Sequence, residues 1–254
     1  MKKLICILLL AAMLPALTAC GAAGTADDAA AKKIEEAIAA AAESASEQPA
    51  PAEEAPAPAE EEPAPAEEEL EAEDLIGAKS GNIYSNEALG IRAEFPADWT
   101  ILSDEQAAQM LGVVADSFSA QDLAAQLRES GLCYDLYAMT INQTGDNVNV
   151  VVQDLGVVYG IVIDEEKFLD MGEKEIETTF TQMGMTDIRT ERESIFFAGQ
   201  EHLSVKASAK YGGLTLYERL VLCKAGNYMG LVTASSLNQT HPDEILGFFS
   251  AYEG

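Results

Sequence analysis

The sequence has few basic residues, few histidines and a single tryptophan. Its 254 residues include 15 Lys and Arg against 43 Asp and Glu, giving a formal net charge of −28. Nucleic-acid binding needs clustered cations, so this balance excludes nucleic acid as the partner. Only His202 and His241 could act as imidazole bases, and they do not form a metal-binding pair at helical spacing. His202 falls in a predicted strand, where a structural role is the more common one.

The sequence also lacks the common catalytic and cofactor-binding motifs. It contains no nucleophile elbow, P-loop, dinucleotide-binding glycine pattern or calcium loop. The acidic run Asp164-Glu165-Glu166 could be read as a cation site. Its place at the start of a predicted helix is better explained by capping and by the helix dipole. We therefore expect no catalytic residue, no metal and no cofactor.

The N-terminus contains the most informative motif of the chain. Two lysines precede an apolar run over residues 4–14, which has the length of a secretory signal and is short for a membrane span. The run leads into LTACG at residues 17–21, which resembles the lipobox of bacterial lipoproteins. The resemblance implies that residues 1–19 are a signal peptide and that Cys20 is lipidated. We expect acyl chains such as palmitate on Cys20 to hold the protein at the extracytoplasmic face of the cell membrane.

Residues 20–81 differ in composition from the rest of the chain. From Gly21 to Gly81 there are 17 acidic residues, three lysines, six of the nine prolines and no aromatic residue. Such a segment cannot bury a core. Its Pro-Ala-Pro repeats and glutamate clusters favour an extended polyproline conformation, so Pro49–Glu69 alone could reach on the order of 60 Å. We interpret residues 20–81 as the lipidated cysteine followed by a disordered tether.

Residues 82–254 are predicted to form one folded domain. They contain all 16 Phe and Tyr residues and Trp99, which we expect to be a core anchor. Helices are predicted over residues 103–111, 119–131 and 164–183 and from Thr240, with Ile245, Leu246, Phe248 and Phe249 on the buried side of the last. Strands are predicted over residues 83–84, 91–95, 132–142, 148–154, 188–196, 202–210, 214–224 and 228–234. The consecutive hairpins predict an α+β fold, with an antiparallel β-sheet covered by helices.

The start of this domain resembles a known family. Residues 84–91 read YSNxxLGI and residues 95–99 read FPxxW, a pattern that is similar to the PsbP-like family, and the order of elements fits it over residues 82–254. The resemblance implies an α/β sandwich in which an antiparallel sheet lies between helical layers. It favours a partner-binding role without catalysis, although a shared fold does not transfer a specific function.

Cys133 and Cys223 both fall on predicted strands of the domain. They could form a disulfide, because the domain is expected outside the cytoplasm. They could equally be two small buried apolar residues that never meet. Their spacing predicts neither a metal site nor a redox pair.

Three functions stay open on the sequence. The favoured one is a membrane-anchored module that binds a protein or an envelope component whose identity the sequence does not give. The second is an extracytoplasmic hydrolase that uses carboxylates rather than Cys133 or His202. The third is a solute-binding lipoprotein, although one small domain offers no second lobe to close over a ligand. Four strand tyrosines could line a binding face or could simply favour strands: Tyr134, Tyr137, Tyr217 and Tyr228.

Overall fold

The computed structural model describes residues 70–110, 123–141, 145–237 and 242–254. Predictions on Cys20, on the tether up to residue 69, on the helix start at residue 119, on Thr240 and on His241 lie outside the described residues. The described helices do not include one that is long and apolar enough to cross a membrane.

The fold is α+β, as predicted, and contains two antiparallel sheets. The described strands are β1 (Ala78–Ser80), β2 (Ile83–Asn86), β3 (Ile91–Glu94), β4 (Trp99–Ile101), β5 (Leu132–Thr140), β6 (Asn147–Asp154), β7 (Thr186–Phe197), β8 (Gln200–Tyr211), β9 (Leu214–Ala225), β10 (Tyr228–Leu237) and β11 (Phe249–Ala251). The described helices are α1 (Asp104–Met110), α2 (Leu123–Ser130), α3 (Gly156–Val162), α4 (Glu165–Gln182) and α5 (Pro242–Leu246).

The larger sheet has the strand order β4-β5-β6-β10-β9-β8-β7, and the smaller sheet has the order β1-β2-β3-β11. One hydrophobic cluster joins α4 to the first face of the larger sheet. A second cluster joins the opposite face to the smaller sheet, α2 and α5. Strands β6, β9 and β10 are buried on both faces, and polar side chains interrupt the apolar residues of each.

Helix α4 forms where the sequence predicts it. The side chain of Asp164 caps the helix by accepting a hydrogen bond of 2.8 Å from the Lys167 backbone N–H. Phe168 and Phe180 lie on the buried face, three turns apart, and pack against the larger sheet. Gly184 follows the helix with a φ of +76°, a conformation that glycine adopts without strain.

The C-terminal helix is shorter than predicted. Helix α5 ends at Leu246, and Phe249 begins strand β11, which pairs with β3. Phe249 packs edge-on to Phe95 and lies 5.4 Å from Phe197 between ring centroids. Because the edge of β3 is available for pairing, these aromatic residues bury their rings on a strand rather than on a continued helix.

Trp99 is a buried core residue, as expected, but it lies in the unpredicted strand β4 and pairs with Thr140. Its ring stacks on Phe95 with 5.6 Å between centroids. Helix α3 was not predicted either. It has seven residues, GVVYGIV, and its side chains show no alternation between apolar and polar that would indicate one buried face.

The folded part of the chain extends upstream of residue 82, where the sequence places the end of the tether. Strand β1 pairs with β2, and Leu75 is completely buried. The acidic residues between 67 and 74 make this segment similar in composition to the tether. Leu75 and Ile76 nevertheless pack into the second cluster.

Candidate functional site

Two adjacent charged residues lie in the middle of the otherwise apolar strand β9. Glu218 and Arg219 are 3% and 4% exposed, respectively. Successive strand side chains point to opposite faces of a sheet, so Glu218 faces the α4 layer and Arg219 faces the other side. Burial of a charged side chain is costly without partners. The surroundings of each side chain therefore determine which hydrogen bonds and ion pairs it can make.

Glu218 is held in an interior of low polarity. One carboxyl oxygen accepts a hydrogen bond of 2.9 Å from the Ser235 hydroxyl. The other oxygen has no partner among the described residues. Burial raises the pKa of Glu218 from its ordinary value of 4.5 to about 8, and the bond from Ser235 opposes this rise. At neutral pH the protonated carboxyl therefore predominates, so Glu218 can donate a hydrogen bond as well as accept one.

Other polar side chains lie on the same face of the sheet. In the strand register, Ser235 is opposite both Glu218 and Asn147, and Thr233 is opposite Asn149. Several buried polar atoms of this layer have no partner within the described ranges: the Tyr137 hydroxyl, Asn147 Oδ1, Asn149 Nδ2, Gln153 Oε1 and Thr179 Oγ1. We call these residues together with Glu218 the polar interior. It can hydrogen-bond water or a small polar molecule, but its side chains are closed to bulk solvent.

Arg219 lies beside an open groove on the opposite face. Its Nε donates to Asp243 at 2.9 Å, and one terminal nitrogen donates to the Ser204 hydroxyl at 3.1 Å. It also forms an ion pair with Glu193. Glu193 in turn pairs with Lys206 at 2.8 Å. These contacts fix the guanidinium at the base of the groove.

The groove encloses about 500 Å³ between strands β7, β8 and β9 and helix α5. Its lining includes the cations Arg189, Lys206 and Arg219, the acids Glu191 and Asp243, and the ring of Tyr217. We refer to it as the Arg219 groove. Residues 82–254 contain only ten basic residues in all, so three of them at one groove form a local grouping of cations, although Glu193 and Asp243 already pair with two of the three. Arg189 is exposed, and its positive charge contributes, after Lys210, to lowering the pKa of Asp187.

The sequence analysis did not select either residue of the Glu218–Arg219 pair. The signal that could have found them is a Glu-Arg pair inside the apolar strand LTLYERLVLCKA. A charged pair in a strand that is buried on both faces needs specific partners. Because the partners come from strands and a helix distant in sequence, composition alone does not reveal them.

A second buried carboxyl group, that of Asp135, joins the two sheets. It accepts hydrogen bonds from the Tyr84 hydroxyl at 2.6 Å, from Asn86 Nδ2 at 2.9 Å and from the Gly77 backbone N–H at 2.9 Å. It lies at the irregularity between Tyr134 and Leu136 in the β5–β6 pairing. Burial raises the pKa of Asp135, and the hydrogen bonds from these groups oppose the rise. Two of the donors belong to β2 and the third precedes β1, so Asp135 connects the smaller sheet to strand β5 of the larger sheet.

His202 lies in strand β8, as predicted, and contacts the start of α4. Its Nδ1 lies 2.9 Å from one carboxylate oxygen of Glu165, and its side chain is 10% exposed. The other Glu165 oxygen accepts the Leu203 backbone N–H at 2.8 Å. The β8–β9 pairing ends at Ser204 opposite Val221. Glu165 therefore satisfies a strand N–H at the point where the two strands separate.

Cys133 and Cys223 are both free and buried. In the register, Cys133 is opposite Val152, Val152 is opposite Gly230, and Gly230 is opposite Cys223. Three strand spacings separate the cysteines by about 14 Å, whereas a disulfide needs α-carbons within about 7 Å. The structure thus contradicts the possible disulfide and favours the alternative of two buried apolar side chains.

The four strand tyrosines do not share a wet face. Tyr134 and Tyr137 are buried, whereas Tyr217 and Tyr228 are half-buried. Of these, Tyr217 lines the Arg219 groove. Within the described residues, no group of three or more His, Cys, Asp or Glu side chains could hold a metal ion.

The comparisons with known proteins are distant. No family model matches the chain, and no curated protein matches it. A solved structure from Bacteroides thetaiotaomicron VPI-5482 is 10% identical with a TM-score of 0.39, and the match covers 68% of this chain and 49% of that one. The chain thus spans about half the length of that protein. The structure of LpqN, involved in cell envelope biogenesis of Mycobacterium tuberculosis, is 11% identical with a TM-score of 0.34, covering 67% of this chain and 78% of LpqN.

Proposed function

We propose that this protein is a membrane-anchored, extracytoplasmic lipoprotein that binds a protein or envelope component without catalysis, using the Arg219 groove. The observation that carries the proposal is the grouping of Arg189, Lys206 and Arg219 at an open groove in a strongly acidic chain. The lipobox-like sequence ending at Cys20 supports the anchoring. The YSNxxLGI and FPxxW patterns support a PsbP-like scaffold.

The chemistry of the groove favours an acidic segment as the bound group. Arg219 is already held by Glu193, Asp243 and Ser204. Arg219 therefore fixes the base of the groove, whereas the exposed Arg189 side chain can pair with a carboxylate of the ligand. The Tyr217 ring and Pro242 provide apolar contact at the same groove. Cations are sparse elsewhere in the acidic domain, so an acidic ligand is repelled less at this groove than at the rest of the surface.

An extracytoplasmic hydrolase is the second candidate, and Glu218 is the observation that favours it. A carboxyl whose pKa is raised to about 8 resembles the general acids of some enzymes. Against this role, Glu218 is only 3% exposed and faces the closed polar interior. A Glu218→Gln protein that binds and functions like wild type would remove this candidate.

The test is cross-linking in intact native cells followed by identification of co-purified proteins and envelope material. Arg189→Glu reverses the charge of an exposed groove cation, so we expect it to weaken partner capture at least tenfold. Lys174→Glu makes the same charge change at an exposed position on α4 and is the matched control. It should leave capture unchanged.

Cys20→Ala tests the anchoring separately. We expect it to release the protein from the membrane fraction and to remove the partner from the cross-linked material. Equal loss with Arg189→Glu and Lys174→Glu would mean that net charge, and not the groove, determines capture. Undiminished capture with Arg189→Glu would refute the groove as the binding site.

A further inference from the structure

Large exposed hydrophobic side chains are concentrated at one end of the larger sheet. The described residues include seven of them, and Ile141 is the one at the far end of β5. Five are on helix α3, with exposures from 51% to 78%: Val157, Val158, Tyr159, Ile161 and Val162. The seventh, Phe196, is 80% exposed beside the β7–β8 turn.

The strand register places Phe196 and α3 at the same end of the sheet. Strand β8 begins at this end beside the β7–β8 turn, and the antiparallel strand β9 finishes at the same end at Ala225, although their pairing stops at Ser204 and Val221. Ala225 is opposite Tyr228, and Tyr228 is opposite Asp154, which precedes α3. We call α3 and Phe196 together the apolar end. A soluble domain rarely exposes so many apolar side chains together unless they contact a partner or a membrane.

Helix α3 is fixed so that its apolar side chains face outward. Gly160 is its buried residue, and a Cβ atom there would lie 2.2 Å from Asn227 Oδ1. Only glycine allows this close approach of the helix to the β9–β10 turn. Lys224 Nζ donates to the carbonyl oxygens of Gly160 at 2.7 Å and Gly226 at 2.6 Å. The backbone is therefore held to the sheet while the apolar side chains contact solvent.

The chain also enters the folded domain at this end. Leu70 is the first described residue, and its carbonyl oxygen accepts a hydrogen bond of 3.5 Å from the Tyr228 hydroxyl. Residue 70 follows the segment that connects the domain to Cys20. The first described residue of the chain therefore lies at the same end of the sheet as α3.

We propose that the apolar end is a lipid-contacting surface that inserts α3 and Phe196 side chains into the interfacial region of the membrane. The inference rests on the proposed anchoring for the choice of a lipid surface as the occupant. Short apolar segments with an aromatic residue such as Tyr159 suit this region, because the ring is apolar and the hydroxyl is polar. The membrane contact adds to the acyl chains rather than replacing them.

The charges around α3 set the lipid preference. Asp154, Asp164 and Glu166 surround the helix in sequence, with Lys167 and Lys224 as nearby cations. Asp154 and Asp164 already bond backbone N–H groups, and Lys224 bonds carbonyl groups. Attachment is therefore driven by apolar insertion, and anionic lipid weakens it through repulsion by the acidic chain.

The test is co-sedimentation of residues 20–254 carrying Cys20→Ala with phosphatidylcholine vesicles, so that no acyl chain contributes. We expect measurable binding that falls at least about fivefold with Ile161→Asp, because a charge is placed in the inserted surface. Ile141→Asp makes the same change at the opposite end and should bind like the parent. Adding phosphatidylglycerol should weaken binding, and salt should restore it.

A second measurement tests whether helix α3 lies in the lipid. Tyr159→Trp should show a blue-shifted emission on vesicles and quenching by brominated lipid, above the signal of the buried Trp99. No vesicle binding, or equal losses for Ile161→Asp and Ile141→Asp, would overturn the proposal. So would a lipid-free dimer that Ile161→Asp dissociates, because the surface would then belong to a second copy. In the Ile161→Asp background, which weakens the lipid contact, release from cell membranes on adding Cys20→Ala tests anchoring, so the two proposals can fail independently.

Discussion

Glu218 and Asp135 are both buried carboxyl groups, but the structure supplies them with different partners. Asp135 accepts hydrogen bonds from Tyr84, Asn86 and Gly77. Glu218 accepts one from Ser235 and has an oxygen without a partner in the described structure. A carboxylate with several donors keeps its charge more readily than one with a single donor. The two residues therefore lead to different experiments.

Glu218 should make folding stability depend on pH. Its folded-state pKa of about 8 lies above its ordinary value of 4.5, so the folded protein holds a proton that the unfolded chain has lost. The contribution to stability is complete below about pH 4.5 and is lost as pH rises towards 8. Glu218→Gln keeps a neutral side chain throughout. We expect the stability of wild type relative to Glu218→Gln to fall by on the order of 3 kcal/mol between pH 5 and 8.

Urea unfolding at several pH values measures this difference. Glu191→Gln removes one negative charge at an exposed position and controls for net charge. A difference between wild type and Glu218→Gln that stays constant from pH 5 to 8 would contradict the raised pKa.

Two buried tyrosine hydroxyls provide a matched pair. The Tyr84 hydroxyl donates to Asp135, whereas the Tyr137 hydroxyl has no partner among the described residues. Tyr84→Phe should lower the free energy of unfolding by about 2 kcal/mol, because a buried carboxyl group loses a donor. Tyr137→Phe should be neutral or stabilising. Equal losses in denaturant unfolding would show that the hydroxyl contacts do not distinguish the two positions.

At the scale of elements, the first turn of helix α4 supplies a hydrogen-bond acceptor at the point where strands β8 and β9 separate. The Glu165 carboxylate at its first turn accepts the Leu203 N–H where β8 and β9 separate. The pattern Asp164-Glu165-Glu166 is explained in the sequence analysis by capping and the helix dipole, and Asp164 does cap the helix. Glu165 has a further role that depends on a strand about 40 residues away, which local spacing does not reveal.

Removing this carboxylate should expose one strand amide. In Glu165→Ala, the Leu203 N–H loses its acceptor, so its hydrogen exchange should become about tenfold faster or more. Glu166→Ala changes the neighbouring exposed acid and should leave that amide as in wild type. Hydrogen exchange followed by NMR measures the residue directly. Unchanged protection of Leu203 in Glu165→Ala would show that another group supplies the acceptor.

The main strands and α4 could be predicted because hydrophobic pattern and turn residues act locally. Four strands from β7 to β10 and the cap at Asp164 are examples. Strands β4 and β11 were missed because three-residue strands carry little pattern and form by pairing with distant partners. The Glu218–Arg219 pair was missed for a similar reason. Its importance comes from burial, which follows from the strand order and not from neighbours in sequence.

At the scale of the whole molecule, the first residues after the tether belong to the fold. Leu75 is fully buried, and a Cβ atom on Gly77 would lie 2.4 Å from the Tyr84 ring. The same glycine donates its N–H to Asp135. Residues 70–81 thus complete both the second hydrophobic cluster and the hydrogen bonds of a buried carboxyl group.

A truncation tests this contribution. A chain that starts at Asn82 loses Leu75, strand β1 and the Gly77 donor, so its free energy of unfolding should be about 4 kcal/mol or more below that of a chain that starts at Leu70. Thermal and urea unfolding of the two chains give the comparison. Equal stability would mean that residues 70–81 pack on the domain without supporting it.

The two proposed surfaces lie at different heights along the larger sheet. The Arg219 groove involves residues 217–219 of β9, and the apolar end lies beyond Ala225. Six to eight residues of strand separate them, which corresponds to about 20–26 Å. With the apolar end on the lipid, the groove is clear of the headgroups. One molecule can therefore contact the membrane and a partner at the same time.

Cys133 and Cys223, the two ends of the row that includes Val152 and Gly230, can be labelled to follow the opening of the larger sheet. Burial raises the pKa of both thiols well above the ordinary value, so neither forms the reactive thiolate while the fold is intact. Alkylation of either thiol should therefore require unfolding of the sheet around it. The two sites lie on strands β5 and β9, so simultaneous labelling in mass spectra would indicate cooperative opening of the sheet. Earlier labelling of Cys133 alone would locate the first opening at β5.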